Sequence, residues 1–250
     1  MNFSALDPGI LLPAWLVGLV VLLSHVPLGR QVLARGIIFM DLAIAQIAAL
    51  GVIAAHALAL DDNPWAVQIA ALTAALAGAA LLHYTDRRWP ERQEAIIGSG
   101  FVLAASLGVL LLAHDPHAGE YLRELLVGQI LWADLEDLLP LAVVTAVFLW
   151  FWRRAQLFAR PLGFYAAFAV LITLSVQLVG VYLVFASLIL PALASPRRSL
   201  PAWAIGAAGY ALGLVASALW DLPSGAAIVC AIALCAAVGG LWLRRPAAGC

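Results

Sequence analysis

Lysine does not occur in this sequence of 250 residues, and charged residues of all kinds make up only 11% of it. Hydrophobic residues make up 65%, whereas soluble globular domains contain about 45–50%. Such a chain has too few polar residues to cover a separate soluble domain, and it offers no strongly basic face for nucleic acid. The scarcity of charge therefore predicts a protein of the lipid bilayer that does not bind nucleic acid.

Cysteine is also scarce, and its positions exclude a disulfide framework. Cys230 and Cys235 lie in an apolar run, and Cys250 is the last residue. The sequence has no nucleophile–base pair and no glycine-rich phosphate loop at a recognisable spacing. We therefore expect a chain that is not an enzyme and carries no cofactor, so that any ATP must be bound by another subunit.

The positive charge that is present follows a pattern. All 13 basic residues are arginine, and the polar connections without arginine clusters are acidic or neutral. Short arginine-rich loops remain on the cytoplasmic side of a membrane. We therefore predict a multi-pass protein of the bacterial inner membrane with its N-terminus outside and its C-terminus in the cytoplasm. Twelve arginines form the clusters Arg30/Arg35, Arg87/Arg88/Arg92, Arg153/Arg154/Arg160, Arg197/Arg198 and Arg244/Arg245.

The apolar runs have the length of membrane spans, which need about 20 mostly apolar residues. They predict an all-α polytopic fold, a single transmembrane domain over 1–250 with about seven full spans and one broken-helix hairpin. The candidate runs are 10–29, 37–60, 64–83, 95–113, 138–152, 162–195, 201–220 and 222–243.

The run 162–195 is the predicted hairpin, because arginines stand at both of its ends. A single straight crossing would place the later arginines outside. We predict two shortened helices that turn near Gln177, Gly180 and Val181. Broken helices are tolerated in membranes where protein or a water-filled cavity satisfies the backbone, so Gln177 and Gly180 are candidates for a translocation pathway.

The second span carries three polar residues, Asp41, Gln46 and His56, in an otherwise apolar helix. At about 100° per residue they fall in one broad arc of the helix. Polar side chains inside a membrane are costly, so the arc predicts the lining of a translocation pathway. In the alternative interpretation, Asp41 pairs with Arg35 near the cytoplasmic interface and His56 reaches outward to water.

The segment 114–137 is too polar to span, and its apolar residues have the spacing of an amphipathic helix on the outer face. It begins with His114, Asp115 and His117, whose side chains suit zinc or manganese. The alternative is an ordinary polar outer loop.

Four segments of the sequence carry a resemblance to a known family: FMDLAIAQIAALG (39–51), ELLVGQILWADLEDL (124–138), LVGVYLVFASLILPALAS (178–195) and WDLPSGAAIVCAIAL (220–234). They resemble the permease subunits of zinc/manganese/iron-type metal ABC importers. The resemblance implies a homodimeric pore for zinc or manganese, lined by the second span and the 162–195 hairpin, with a cytoplasmic ATPase and a periplasmic metal-binding protein as partners.

The chain departs from this family in two places. Where members commonly carry Asp-x-x-x-His in the second span, this sequence has Leu42 and Gln46. Glutamine is a poor ligand for a borderline cation, which leaves a metal chelate or a weakly coordinated ion open.

The second departure is the short connection RRAQLFARPLG (153–163), where the family has a longer ATPase-docking segment. Arg153, Arg154 and Arg160 are the docking candidates, with Arg87–Gln93 and Pro196–Leu200 as alternatives. The short loop also leaves two other functions open: an ATP-independent channel or carrier for a metal or small solute, and a membrane scaffold that transports nothing.

Overall fold

The computed structural model describes residues 7–60, 63–113, 115–128, 130–132, 135–154 and 161–243, and within them all regular structure is helical. This confirms the predicted all-α fold. Short 3₁₀ turns lie at Pro90–Arg92 and Ile130–Trp132. The α-helices are α1 (Pro8–Arg35), α2 (Met40–Ala57), α3 (Pro64–Arg88), α4 (Gln93–Leu111), α5 (Ala118–Val127), α6 (Leu135–Arg154), α7 (Pro161–Val179), α8 (Val181–Ala194), α9 (Ser199–Trp220) and α10 (Ser224–Leu243).

In the described part of the chain, 7 helices are long and apolar enough to cross a membrane: α1, α2, α3, α4 with the turn before it, α7, α9 and α10. The apolar stretches of α6 and α8 are shorter. The hairpin differs from the prediction in one respect, since α7 has 19 residues and is a full-length limb. Only α8, with 14 residues, is short, because at about 1.5 Å per residue it falls below the roughly 30 Å of a bilayer core.

Two helices that start in acidic or neutral loops have side-chain caps. The carboxylate of Asp7 accepts a hydrogen bond from the backbone N–H of Gly9 at the start of α1. The side chain of Asn63 accepts from Trp65 and Ala66 at the start of α3. These caps satisfy backbone N–H groups that have no partner inside a helix, so the loop sequences fix where both helices begin.

Contacts at the end of α1 show the direction of the hairpin. The guanidinium of Arg35 stacks on the ring of Phe164, in the first turn of α7, at 4.1 Å from its centroid. Arg30 donates to the carbonyl oxygens of Pro196 at 2.9 Å and Arg197 at 3.1 Å, just after α8. Both ends of the α7–α8 segment therefore lie at one end of the bundle, which we call the arginine end. The predicted reversal of the chain is confirmed.

Close helix packing depends on small residues. A Cβ added at Gly209 or Gly213 of α9 would lie 2.6 Å and 2.3 Å from the Cα atoms of Ile232 and Ile228 of α10. A Cβ at Gly29 of α1 would lie 1.9 Å from a backbone oxygen of α8. Helices in lipid gain stability from such van der Waals contact, so these glycines let α1, α8, α9 and α10 form one packed unit.

Candidate functional site

A cavity of about 570 Å³ lies between α2, α4, α5, α8 and α10. Among the described residues of its wall, polar side-chain groups come only from the Gln46 amide and the Tyr182 hydroxyl. Tyr182 is 53% exposed and Val109 55% exposed, so the cavity opens to the surface of the chain. The remaining described wall residues are Leu42, Ala49, Leu50, Ile53, Phe101, Ala104, Ala105, Gly108, Leu122, Leu126, Val181, Phe185, Ala186, Leu190 and Val229.

One stripe of α2 faces this cavity. Leu42, Gln46, Ala49, Leu50 and Ile53 recur every three or four residues, which is the spacing of one helical face. Leu42 and Gln46 stand one turn apart on the wall. The two positions at which the sequence departs from the resembled family therefore both face the cavity.

Asp41 lies on a different face of α2. It is 1% exposed, and neither of its carboxylate oxygens has a hydrogen-bond partner among the described residues. It is not among the residues that line the cavity. Arg35 donates to Gln31 and stacks on Phe164, and no ion pair joins it to Asp41 in the described part of the chain. The structure thus places Asp41 and Gln46 in separate surroundings.

His56, at the far end of α2, contacts the segment that follows α4. Its Nε2 atom lies 3.1 Å from Oδ2 of Asp115, and Oδ1 of Asp115 accepts from the backbone N–H of His117 at 2.8 Å. The Nδ1 atom of His117 lies 3.8 Å from the same carboxylate. The structure thus brings together His56, a predicted pathway residue, and Asp115 of the predicted metal-binding cluster, which are 59 residues apart in sequence.

The structure describes only two of the three residues in the predicted metal-binding cluster, Asp115 and His117. His114 lies outside the described residues. Within the residues that are described, no group of three or more histidine, cysteine, aspartate or glutamate side chains is arranged to hold a metal ion. The backbone N–H of His117 and then the side chain of His56 lower the pKa of Asp115 by hydrogen bonding to its ionised form.

This pKa shift predicts a pH-dependent effect of Asp115→Asn. A carboxyl whose folded-state pKa is lowered contributes stability above its ordinary pKa of about 3.9, and loses that contribution as the pH falls through the lowered value. We expect Asp115→Asn to melt below the native chain at neutral pH, and the two melting temperatures to converge below about pH 4. Thermal unfolding in detergent from neutral to acid pH measures this, with Asp221→Asn as a control for the lost charge. A difference that stays constant with pH would contradict the assignment.

Beside the cavity, two loops and a helix start meet at glycines. Gly180 separates α7 from α8 and has φ 80° and ψ 162°. A Cβ at Gly180 would lie 2.4 Å from the backbone nitrogen of Gly128, and a Cβ at Gly225 would lie 2.4 Å from the carbonyl oxygen of Val127. Leu126, just before this contact, lines the cavity. We call the contact of Gly128, Gly180 and Gly225 the glycine junction.

The family model of the ABC 3 transport family matches residues 8–162 and 156–243 of the chain. The chain belongs to the ABC 3 transport family. This match confirms the prediction that the chain is the permease subunit of an ABC transporter. The three segments whose glycines form the junction, 124–138, 178–195 and 220–234, are also three of the four that carried the resemblance to metal importers.

Two solved structures have the same fold as this ABC 3 permease. The structure of PsaBC from Streptococcus pneumoniae in complex with Fab matches with a TM-score of 0.74 and 22% identity, covering 96% of this chain and 95% of that one. A structure described as an inward-facing conformation of a metal-chelate type ABC transporter matches with a TM-score of 0.63 and 18% identity, covering 93% and 83%. At these identities the matches show the fold.

The remaining predicted positions of the ABC 3 permease lie apart from the cavity wall or outside the described residues. Gln177 is exposed in the last turn of α7. α6 ends at Arg154, and the side chains of Arg153 and Arg154 lie outside what the structure describes, as does Arg160. The two family matches overlap at 156–162, within the connection that is short in this sequence.

Sequence reasoning missed the contact that forms the glycine junction. Gly180 was predicted as a turn and Gly225 is part of the Asp-x-Pro-x-Gly pattern in a segment that carried the resemblance, whereas the contact that joins them to Gly128 was not predicted. A signal was available, because three of the four segments that carried the resemblance each contain one of these glycines. Glycine within otherwise apolar or helical sequence marks a close backbone approach.

Proposed function

We propose that this chain is the membrane-spanning subunit of an ABC importer for a divalent metal, with zinc or manganese as the substrate. The observation that carries the proposal is the cavity of about 570 Å³ between α2, α4, α5, α8 and α10, which we call the Gln46 cavity. It is built around α2 and α8 in a chain of the ABC 3 transport family. One of the two similar structures is described as a metal-chelate type transporter, which adds support for a metal-containing substrate.

In this proposal the arginine end faces the cytoplasm of a bacterial inner membrane. Arg30 and Arg35 end α1 there, and Arg197 lies beside them after α8. Arginine-rich connections stay on the cytoplasmic side. The N-terminus is then outside and the C-terminus is cytoplasmic, and the pair His56–Asp115 faces the periplasm.

The proposed pathway begins at Asp115, His117 and His56 and continues past Gln46. His56 lies one turn beyond Ile53, which lines the cavity, so the outer pair stands next to the cavity mouth. The metal meets few ligands deeper in, since a glutamine amide and a tyrosine hydroxyl bind a divalent cation weakly. A partly hydrated ion or a metal complex fits such a wall.

Asp41 and the hairpin have supporting roles in this pathway. Asp41, buried near the arginine end and off the cavity wall, would contact a cation only in a conformation that opens this end of the bundle. Gly180 permits the break at which the hairpin turns, and Gln177 stands one turn before it. A second copy of the chain would cover the open side of the cavity at Tyr182 and Val109.

Two other proteins complete the proposed importer. A cytoplasmic ATPase would dock at the arginine end, with Arg153 and Arg154 at the end of α6 and Arg160 in the connection after it as the contact. A periplasmic metal-binding protein would deliver the substrate to the opposite end. Helices of the chain itself supply no nucleotide-binding motif, so ATP must be hydrolysed by the partner.

Metal uptake by cells tests this proposal. We expect radioactive zinc or manganese to accumulate in cells that express the chain with its ATPase partner, and to fall to background when the nucleotide-binding lysine of that ATPase is replaced. Uptake that persists with the inactive ATPase would favour an ATP-independent channel or carrier. Absence of uptake under both conditions, with the chain well expressed, would favour a scaffold.

A further inference from the structure

A second cavity, of about 690 Å³, lies at the arginine end between α1, α6 and α9. Among the described residues, it shares no lining residue with the Gln46 cavity. Its wall is apolar along Leu23, Pro27 and Leu149, whereas Arg30 and Arg35 lie at its end. We call it the α1–α6–α9 groove.

In the described part of the chain, the two arginines of the groove contact neutral acceptors and an aromatic ring. Arg30 donates to the carbonyl oxygens of Pro196 and Arg197 and to the hydroxyl of Ser199, all neutral acceptors. Arg35 donates to the Gln31 amide and stacks on an aromatic ring. Neither arginine makes an ion pair with a carboxylate in the described part of the chain, and no acidic residue is among the groove's lining.

The length of the groove and its depth in the membrane both fit a lipid molecule. From Leu23 to Arg35 along α1 the distance is about 18 Å at 1.5 Å per residue, enough for much of one acyl chain. Trp152, near the end of α6 on the arginine side, lines the groove, and tryptophan collects at the headgroup level of a bilayer. Trp203 lies deeper, where its indole N–H donates to the carbonyl oxygen of Leu22. The apolar part of the wall is therefore at acyl-chain depth, and the arginines are at phosphate depth.

We propose that the α1–α6–α9 groove binds one anionic phospholipid, with its phosphate beside Arg30 and Arg35 and an acyl chain along Leu23, Pro27 and Leu149. Charge complementarity selects the anionic class, because basic pockets between membrane helices on the cytoplasmic side bind acidic headgroups. Arg30 also holds the connection after α8, so the lipid binds where α1 meets the end of the hairpin. This proposal does not depend on what the permease transports.

Native mass spectrometry of the purified chain tests this, with phosphatidylglycerol and phosphatidylcholine offered in equal amounts. We expect one phosphatidylglycerol to be retained selectively, and its affinity to fall about fivefold in Arg35→Gln. Arg35→Lys, which keeps the charge, should retain most of the selectivity. Arg92→Gln is the matched control, because Arg92 is exposed and does not line the groove.

Equal retention of the two lipids by the native chain would overturn the proposal. An equal loss of phosphatidylglycerol in Arg35→Gln and Arg92→Gln would also overturn it, because binding would then follow total charge and not the groove. A variant that fails to fold is recognised by its melting curve. Leu149→Trp, which would narrow the apolar part of the groove and leave both arginines in place, then serves as the second test and should also reduce retention.

Discussion

Gly180→Ala is expected to prevent stable assembly of the chain. The backbone at Gly180 has φ 80° and ψ 162°, a region that only glycine adopts readily. An added Cβ would also lie 2.4 Å from the backbone nitrogen of Gly128, and neither backbone can move aside without breaking the glycine junction. Strain and overlap together should destabilise the fold by roughly 3 kcal/mol or more. Size-exclusion chromatography and thermal unfolding in mild detergent measure this.

Gly100→Ala is the matched control for this substitution. Gly100 lies inside α4, and a Cβ added there meets no atom within 4 Å. Alanine has the higher helix propensity, so the control should be neutral or stabilising by up to about 1 kcal/mol. If Gly180→Ala elutes and melts like the native chain, the turn of the hairpin does not require glycine and the junction is wrongly described.

Gln46→Leu should abolish most transport while leaving the protein folded. Leucine has nearly the volume of glutamine, so the change removes the amide from the cavity wall and little else. A hydrogen bond to a charged group contributes about 1.5–3 kcal/mol, which corresponds to a loss of roughly ten- to a hundredfold in uptake if the amide contacts the passing cation. Uptake of radioactive zinc or manganese, normalised to permease in the membrane, gives the result.

The control for Gln46→Leu is Gln68→Leu. Gln68 lies in α3, is partly exposed and does not line the cavity, so the same chemical change there should leave uptake unaltered. The melting temperatures of both variants establish that they fold. Native uptake by Gln46→Leu would exclude Gln46 from the pathway, and an equal loss in both variants would point to a general effect of removing an intramembrane amide.

The helical fold could be predicted from the sequence because two local properties determine it. The length of an apolar run decides whether a helix can span, and the arginines at its ends decide its direction. The hairpin was predictable for the same reason, since Arg160 and Arg197 cannot lie on opposite sides of a single span. The hairpin turns at Gly180, near the predicted position, and only the expectation of two shortened helices was wrong, because α7 extends over 19 residues from Pro161 to Val179.

The candidate site could be predicted only in part, because long-range packing decides which face of a helix meets a cavity. Helical periodicity grouped Asp41, Gln46 and His56 in one broad arc of α2. The neighbours of α2 then separate them: Gln46 faces the cavity, Asp41 is buried elsewhere, and His56 contacts Asp115. Periodicity within one helix carries no information about those neighbours.

The most direct test of the account is transport by the reconstituted complex. The chain would be purified with its ATPase partner, placed in liposomes, and supplied with the metal-loaded binding protein. We expect zinc or manganese to cross only when ATP and the loaded binding protein are both present, with hydrolysis stimulated under the same condition. Metal flux through liposomes that contain the chain alone, unaffected by ATP or by the ATPase, would contradict the account.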